Sequence, residues 1–264
     1  MTHTPRKRFG QHFLHDQYVI QRIIDEITAG DPAPIVEIGP GAGALTIPLL
    51  QAIGKLTAVE IDRDLAPSLA AACRDIGNLD LHVTDALKFD FTSLARGEKI
   101  RIVGNLPYNI STPLLFHLLQ DLHCIDYMLF MMQKEVVDRI CAEPGSRDYG
   151  RLSVMLQSQC RTERLFNIAP GSFTPPPKVE SSIIRLTPIS TDQIDIHNAE
   201  LFSSVVKQAF SQRRKTIRNS LKGMVDDEIL AGAGIDSNVR AENLSIYEYK
   251  KLANFIHDTH RQTE

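Results

Sequence analysis

Apolar positions near the start of the chain recur with a helical period, which predicts the first element. Between residues 19 and 27, apolar side chains lie three and four positions apart, as on a helix with one buried face. Asp16 stands where such a helix needs a capping oxygen, and Gly30 and Pro32 follow where it should end. The first dozen residues are basic and have no period, so we expect them to form an extended arm.

Short apolar runs then alternate with helical patterns. The predicted strands are residues 34–38, 55–61, 79–83, 100–103 and 125–132. The predicted helices are residues 45–53, 65–76, 111–119 and 134–142. Two later strands, 164–168 and 182–186, can form an antiparallel edge. This order predicts an α/β fold with a mostly parallel sheet covered on both faces, and with ligands beyond the carboxyl ends of the strands.

The pattern changes again near Pro188, where strand-like runs stop. Beyond residue 198 the chain shows only helical patterns, at residues 200–210, 215–222, 228–233 and 246–257. We therefore expect two domains, with the sheet in residues 1–188 and a small all-α domain in residues 189–264.

The distribution of charge is more informative than the net charge of −3. Nucleic-acid-binding domains are often basic throughout, and this chain is not. It nevertheless has two basic clusters without neighbouring acids, which could neutralise phosphates or could simply form a solvated helix face. The first cluster is Arg6, Lys7 and Arg8, and the second is Lys207, Arg213, Arg214, Lys215, Arg218 and Lys222.

Other residue types argue against several classes of protein. The four cysteines are scattered without a CxxC pair, and the nine histidines have no metal-binding spacing, so we expect no metal. The sequence has no recognisable secretory signal and no apolar run near the roughly 20 residues of a membrane helix, which predicts a cytoplasmic protein. Nothing in the sequence calls for a dimer, and we expect a monomer.

Acids and glycines follow three successive predicted strands. Residues 37–43 are Glu-Ile-Gly-Pro-Gly-Ala-Gly, a turn whose glycines let the backbone approach a ligand closely. Glu60 ends the second strand, where an acid can bind ribose hydroxyls, and Asp85 follows the third, where it can accept a hydrogen bond from an adenine amine. The GxGxG spacing behind Glu37 suits the cationic S-adenosylmethionine better than a pyrophosphate, which prefers GxGxxG. A nicotinamide dehydrogenase remains the alternative.

The tetrapeptide Asn-Leu-Pro-Tyr at residues 105–108 follows the fourth strand. An exocyclic adenine amine is a weak nucleophile because its lone pair is delocalised into the ring. The side-chain carbonyl of Asn105 and the main-chain carbonyl of Leu106 or Pro107 could accept its two hydrogens and make the nitrogen more nucleophilic. Pro107 stiffens the loop, and Tyr108 offers a ring on which an extruded base can stack. The alternative is an ordinary turn with Tyr108 in the core.

Together these motifs resemble the ribosomal RNA adenine dimethyltransferase family, and within it the bacterial small-subunit branch. The matching segments cover nearly the whole chain: residues 9–14, 36–43, 60–62, 85–87, 105–108, 133–139, 149–154, 173–179 and 209–221. The resemblance implies a Rossmann-like class I methyltransferase domain and a helical domain that helps to dock on the ribosome. The implied reaction dimethylates N6 of two adjacent adenosines in the 3′-terminal hairpin loop of 16S ribosomal RNA, within an assembling small subunit, with S-adenosylmethionine as methyl donor.

The resemblance also implies roles for single residues. The implied cofactor contacts are His12 (Asn in many relatives), Leu14, Gly39, Gly41, Glu60, Asp85 and Asn105. The implied catalytic residues are Asn105, Leu106, Pro107, Tyr108 and Phe173, the last as a second stacking partner for the target base. The expected RNA contacts are Arg6, Lys7, Arg8, Arg213, Arg214, Lys215 and Arg218. Two other functions remain open: methylation of large-subunit RNA, and a non-catalytic assembly or transcription factor.

Overall fold

The computed structural model describes residues 12–107 and 110–262. Its internal contacts divide the chain into two compact units. The first combines Met1–Val137 with Glu163–Pro188, and the second combines Asp138–Thr162 with Ile189–Glu264. The second unit therefore resumes after Pro188, where the predicted domain boundary lies, but it also contains the earlier segment 138–162. The division of roles between residues 1–188 and 189–264 stays a prediction.

The first unit contains most strands and the helices that cover them. The strands are β1 (Phe13–Leu14), β2 (Ile35–Ile38), β3 (Lys55–Glu60), β4 (Asn78–Val83), β5 (Ile100–Asn105), β6 (Ile125–Gln133), β7 (Cys160–Ile168), β8 (Phe173–Thr174) and β9 (Ser181–Pro188). The helices are α1 (Gln17–Thr28), α2 (Thr46–Ile53), α3 (Ala66–Cys73), α4 (Thr92–Ala95), α5 (Ser111–Leu118) and α6 (Lys134–Ile140). The last residues of α6 and the first residues of β7 belong to the second unit.

Within the described residues, one sheet has the strand order β4-β3-β2-β5-β6-β9-β7. Strands β2 to β6 pair in parallel, and β9 pairs with β6 in the opposite direction, with Phe130 across from Ile184. Strand β6 is apolar and buried along nearly its whole length, as expected for a strand covered on both faces. The prediction of a mostly parallel sheet with an antiparallel edge is confirmed.

Gly104 fixes how closely two central strands approach just before the Asn-Leu-Pro-Tyr segment. A Cβ atom at this position would lie 2.4 Å from the carbonyl oxygen of Ile38 on β2. Such a contact is far below the van der Waals distance, so any larger residue would push β5 away from β2. Because Asn105 directly follows Gly104, its position at the carboxyl end of β5 depends on this glycine.

The first helix, α1, forms as predicted. One carboxylate oxygen of Asp16 accepts hydrogen bonds from the backbone N–H groups of Tyr18 and Val19, at 3.1 and 3.3 Å. The apolar stripe of the helix is buried, namely Ile20, Ile23, Ile24 and Ile27. Just before the helix, Leu14 pairs with Phe173 in a two-stranded antiparallel sheet of β1 and β8. We did not predict this sheet, because strands of two residues show no period.

The second unit is helical apart from the start of β7. Its helices are α7 (Arg151–Gln157), α8 (Thr191–Ile194), α9 (Ala199–Ala209), α10 (Ile217–Ser220), α11 (Asp227–Gly232) and α12 (Ile246–Gln262). The expected helix at 215–222 shrinks to one turn. Helix α7 was missed because its buried residues are consecutive, from Ser153 to Leu156, and so show no helical stripe. None of the described helices is long and apolar enough to cross a membrane.

Candidate active site

A cavity of about 370 Å³ opens where the parallel strands of the first unit end. This volume lies in the range of small-molecule sites. Its walls come from the segments that follow β2, β3, β4 and β5, and from β1 and β8. Every residue implied as a cofactor contact lines this one cavity: His12, Leu14, Gly39, Gly41, Glu60, Asp85 and Asn105.

The glycine turn after β2 adopts a conformation that other residues rarely take. Gly39 and Gly41 have φ angles of 69° and 57°. The N–H of Gly39 donates to the carbonyl of Val59 at 2.9 Å, and the N–H of Gly41 donates to a carboxylate oxygen of Glu60 at 2.9 Å. Gly43 also has a positive φ, of 89°, and a Cβ there would in addition lie 2.8 Å from the Leu69 side chain. The turn is therefore held against β3 and presents its backbone to the cavity.

The two acids at the ends of β3 and β4 are also held by backbone groups. The second carboxylate oxygen of Glu60 accepts the N–H of Asp62 at 2.8 Å, and Glu60 is only 5 % exposed. One carboxylate oxygen of Asp85 accepts the N–H of Leu87 at 3.0 Å. Each carboxylate oxygen has a further lone pair. Both side chains can thus accept hydrogen bonds from hydroxyl or amine groups of a ligand without giving up these contacts.

Glu37 adds a buried carboxyl group to the same cavity. It is 2 % exposed, and its Oε2 has no hydrogen-bond partner among the described residues. Burial is the main cause that raises the pKa of Glu37 to about 7, and the nearby Glu60 carboxylate makes a smaller contribution in the same direction. A buried acid of this kind is stabilised in its charged form by a cation. The acidic groups of the cavity therefore fit S-adenosylmethionine, which carries a sulfonium and an ammonium, better than they fit a negatively charged pyrophosphate.

Asn105 ends β5 with its amide directed by a main-chain contact. Its Nδ2 donates to the carbonyl oxygen of His12 at 3.4 Å, which leaves Oδ1 as the acceptor of this side chain. The N–H of the next residue, Leu106, donates to the carbonyl of Met131 on β6 at 3.0 Å. Asn105, Leu106 and Pro107 line the cavity. The predicted stacking residue Tyr108 lies outside the described residues.

The two-stranded sheet of β1 and β8 forms another wall of the cavity. A ring nitrogen of His12, Nδ1, lies 2.7 Å from the carbonyl oxygen of Pro175, so this nitrogen carries the hydrogen. Phe173 lines the cavity but is only 4 % exposed, because it packs in the core with Leu14 and Ile168. Only a small part of its ring is open to a base, and its stacking role stays a prediction.

Sequence reasoning missed several apolar residues of the cavity. They are Ile61, Ala86, Leu87 and Ile110. Ile61 is 51 % exposed, which is unusual for a large aliphatic side chain next to a strand end. Two of these residues directly follow the strand-end acids Glu60 and Asp85, and that adjacency was the available indication. Apolar walls beside polar acids are what the flat face of a nucleoside requires.

The second basic cluster belongs to the second unit, and its residues differ in their contacts. Arg213 donates to Glu242 at 3.1 Å and to the carbonyl of Arg147, and Arg218 forms an ion pair with Asp227 at 2.5 Å. Arg214 and Lys215 are exposed and have no ion pair with a described residue. The expected contacts Arg6, Lys7 and Arg8 lie outside the described residues. Within residues 12–107 and 110–262, no group of three or more potential metal ligands occurs.

Comparison with known proteins gives a consistent result. The family model of ribosomal RNA adenine dimethylase matches residues 2–258. The chain is 51 % identical over 254 residues to ribosomal RNA small subunit methyltransferase A of Nitrosococcus oceani, covering 96 % of each chain. It is 51 % identical to the protein of the same name from Pseudomonas aeruginosa, covering 96 % of this chain and 94 % of the relative.

Solved structures are similar over nearly the whole length as well. A dimethyladenosine transferase from Plasmodium falciparum superposes with a TM-score of 0.78 and 25 % identity, covering 91 % of this chain and 96 % of the other. The 23S rRNA methyltransferase ErmE superposes with a TM-score of 0.68 and 26 % identity, covering 93 % and 99 %. At these coverages, both superpositions include residues of each of the two units.

Proposed function

Because the chain belongs to the ribosomal RNA adenine dimethylase family, we propose that it dimethylates N6 of two adjacent adenosines in the 3′-terminal hairpin loop of small-subunit RNA. The chain is a ribosomal RNA adenine methyltransferase, and S-adenosylmethionine is its methyl donor. The observation that carries the proposal is the cavity in which Asn105, Glu60 and Asp85 meet. Relatives named for the small subunit, at 49–52 % identity, favour that RNA over the large-subunit target named for ErmE.

The strand-end acids would hold the cofactor. Asp85 is suited to accept from an adenine amine, and Glu60 from ribose hydroxyls, since both have lone pairs left. Glu37 supplies a negative charge in a buried place, where it interacts strongly with a cation. The cofactor contributes an electrophilic methyl carbon on a sulfonium. The protein's part is to hold that carbon in line with the attacking nitrogen, which is worth more here than a strong base.

Asn105 and the following carbonyls would prepare the nucleophile. The His12 carbonyl accepts from the Asn105 amide N–H, which leaves Oδ1 as the acceptor of this cavity-lining side chain. Oδ1 and the Leu106 or Pro107 carbonyl can then accept the two N6 hydrogens and draw the lone pair out of conjugation. These carbonyls would hold the nitrogen while the methyl group passes to it from the sulfonium, which would leave as a neutral thioether, and the nitrogen would then lose its extra proton to water. Tyr108 is proposed as the stacking partner of the extruded base.

We extend the proposal to the setting of the reaction. An assembling small ribosomal subunit is the proposed substrate, and the helical second unit, with exposed Arg214 and Lys215, would help to dock there. We further propose that the enzyme acts as a monomer in the cytoplasm, where small subunits are built.

The test incubates the protein and radiolabelled S-adenosylmethionine with small subunits from cells that lack this modification. We expect label in N6,N6-dimethyladenosine within a 3′-terminal RNA fragment. Unlabelled small subunits together with labelled large subunits would overturn the choice of substrate. Absence of label in both, with cofactor bound by calorimetry, would favour a non-catalytic assembly factor.

A further inference from the structure

An exposed stack of side chains lies on the outer face of the first unit, beside the cavity wall formed by β1. Tyr18, in the first turn of α1, is 72 % exposed. The guanidinium carbon of Arg22 lies 3.8 Å from the ring centroid of Phe166 on β7 and 5.9 Å from that of Tyr18. Arg22 thus contacts both rings, as planar guanidinium groups do on aromatic faces. The three residues are called the Tyr18 platform below.

The charge of the Tyr18 platform is available to a ligand. Arg22 is exposed and has no ion pair with any residue that the structure describes. An unpaired guanidinium beside an exposed ring combines the two features with which proteins hold single-stranded nucleic acid, namely positive charge and an aromatic face. A peptide or lipid partner would call for a broader apolar surface, and the other large exposed apolar residues of this unit, such as Ile61 and Val83, lie on other elements.

Hydrogen bonds and a short stretch of chain connect the Tyr18 platform to the cavity wall. Asp16 binds the Tyr18 N–H through one carboxylate oxygen and the Ser172 hydroxyl, at 2.9 Å, through the other. Ser172 precedes the cavity residue Phe173, and Leu14, four residues before Tyr18, also lines the cavity. Four residues span at most about 14 Å, which corresponds to about four stacked nucleotides.

We propose that the Tyr18 platform binds an unpaired base of the substrate RNA, within about four nucleotides of the methylated adenosine. The base stacks on the open face of Tyr18, and Arg22 supports the ring and attracts the adjacent phosphate. This inference rests on the proposed function for its substrate but concerns RNA outside the catalytic cavity. The Tyr18 platform would contribute to RNA affinity and would leave the chemistry at Asn105 unaffected.

The test compares Tyr18→Ala with Tyr18→Trp and with Tyr247→Ala, which removes a similarly exposed tyrosine (68 %) from the second unit. Binding to unmethylated small subunits is measured at one fixed salt concentration, together with KM and kcat of methylation. We expect Tyr18→Ala to weaken binding and raise KM about tenfold with kcat unchanged, since base stacking has that magnitude. We expect Tyr18→Trp and Tyr247→Ala to behave like the wild type.

The results separate the Tyr18 platform from a structural role and from the proposed function. Equal affinity of Tyr18→Ala and wild type for RNA would overturn the proposal. It would also be overturned if Tyr18→Trp, which keeps an aromatic ring, lost as much affinity as Tyr18→Ala. A parallel loss of S-adenosylmethionine binding would mean that Tyr18 only supports the fold. If the wild type bound RNA in a Tyr18-dependent way but transferred no methyl group, the proposed function would fail while the platform remained.

Discussion

The cavity of the first unit and the second basic cluster, called the basic segment below, were both predicted from sequence. They differ in how well a sequence pattern defines them. At the cavity, motifs from residues 12 to 105 converge on one space. In the basic segment, Arg213 and Arg218 are bound to acids of their own unit. Topology explains the difference, since parallel strands must bring their carboxyl ends together. A run of charges has no such constraint, so the sequence does not say which of them face a ligand.

The two regions also differ in how their charges act. Glu37 and Glu60 are buried, where electrostatic interactions are strong and a single substitution has a large effect. Arg214 and Lys215 are exposed, where solvent and salt screen each charge and effects add in small steps. Substitutions in the cavity should therefore change rates and stability strongly, and substitutions in the basic segment should mainly change salt dependence.

The largest effect is expected for Asn105→Ala, which removes the amide that we propose accepts a hydrogen bond from the adenine amine. We expect the methylation rate to fall about a thousandfold, or about 4 kcal/mol in activation free energy, because one preorganised hydrogen bond contributes that much. Asn105→Asp keeps acceptor oxygens but loses the donation to His12, and it should retain part of the activity. Single-turnover rates and calorimetric cofactor binding are the measurements. A rate within tenfold of wild type for Asn105→Ala would remove this residue from the chemistry.

A second large effect is expected for Gly104→Ala, which tests whether the cavity depends on close packing of β2 and β5. The added methyl would meet the Ile38 carbonyl at 2.4 Å, so we expect the free energy of unfolding to fall by about 3 kcal/mol. Gly171→Ala is the matched control in the same unit, because nothing lies within 4 Å of its added Cβ. Denaturant unfolding measures both. Equal stability of the two variants would show that the strands can separate without cost.

The sequence predicted the cavity better than the details of its residues. Glu60 and Asp85 could be assigned to the same end of the sheet because Glu60 ends one parallel strand and Asp85 closely follows the next. That both oxygens of Glu60 also bind backbone N–H groups could not be foreseen, since these contacts depend on the three-dimensional course of the glycine turn. The buried position of Phe173 depends on pairing with Leu14, 159 residues away in sequence, which no local pattern encodes.

The region of residues 138–162 shows a different limit of prediction. Its helix α7 has four consecutive buried residues, so neither a helical nor a strand period appears. Its place in the second unit depends on contacts such as the main-chain hydrogen bond from Gly145 to Glu242, almost a hundred residues later. A boundary drawn near Pro188, from the change from strand-like to helical patterns, cannot detect an earlier segment that packs with a later unit.

An effect similar in size to that of Gly104→Ala is expected for Glu37→Gln, and it depends on pH. Burial raises the pKa of Glu37 to about 7, so the folded protein keeps a proton that the unfolded chain, with its ordinary pKa of 4.5, loses earlier. Protonation of Glu37 therefore makes its full contribution to the free energy of unfolding below the ordinary pKa of 4.5, and this contribution is lost as pH rises through 7. Wild type should therefore lose about 3 kcal/mol of unfolding free energy relative to Glu37→Gln between pH 4 and pH 8.

The same substitution should weaken binding of the cofactor. Above pH 7 the Glu37 carboxylate would balance the cofactor's positive charge, so wild-type affinity should rise from pH 6 to pH 8, while that of Glu37→Gln stays low and flat. Exposed Glu98→Gln serves as the control for both measurements. Identical pH curves for Glu37→Gln and wild type would contradict the assignment of Glu37 as the counter-charge.

The smallest effects are expected in the basic segment, where they sharpen the contrast with the cavity. The salt slope is the steepness with which the logarithm of the RNA-binding constant falls with the logarithm of salt concentration. Replacing Arg214 and Lys215 by Ala should lower this slope by about 1.5, because two fewer phosphates are neutralised. Arg218→Ala should leave that slope nearly unchanged and cost less than about 1 kcal/mol of stability, since its exposed pair with Asp227 is screened. If Arg218→Ala lowered the salt slope by half as much as the double replacement, the ion pair of Arg218 with Asp227 would have to open on binding. Internal ion pairs would then no longer distinguish structural from RNA-binding charges in this unit.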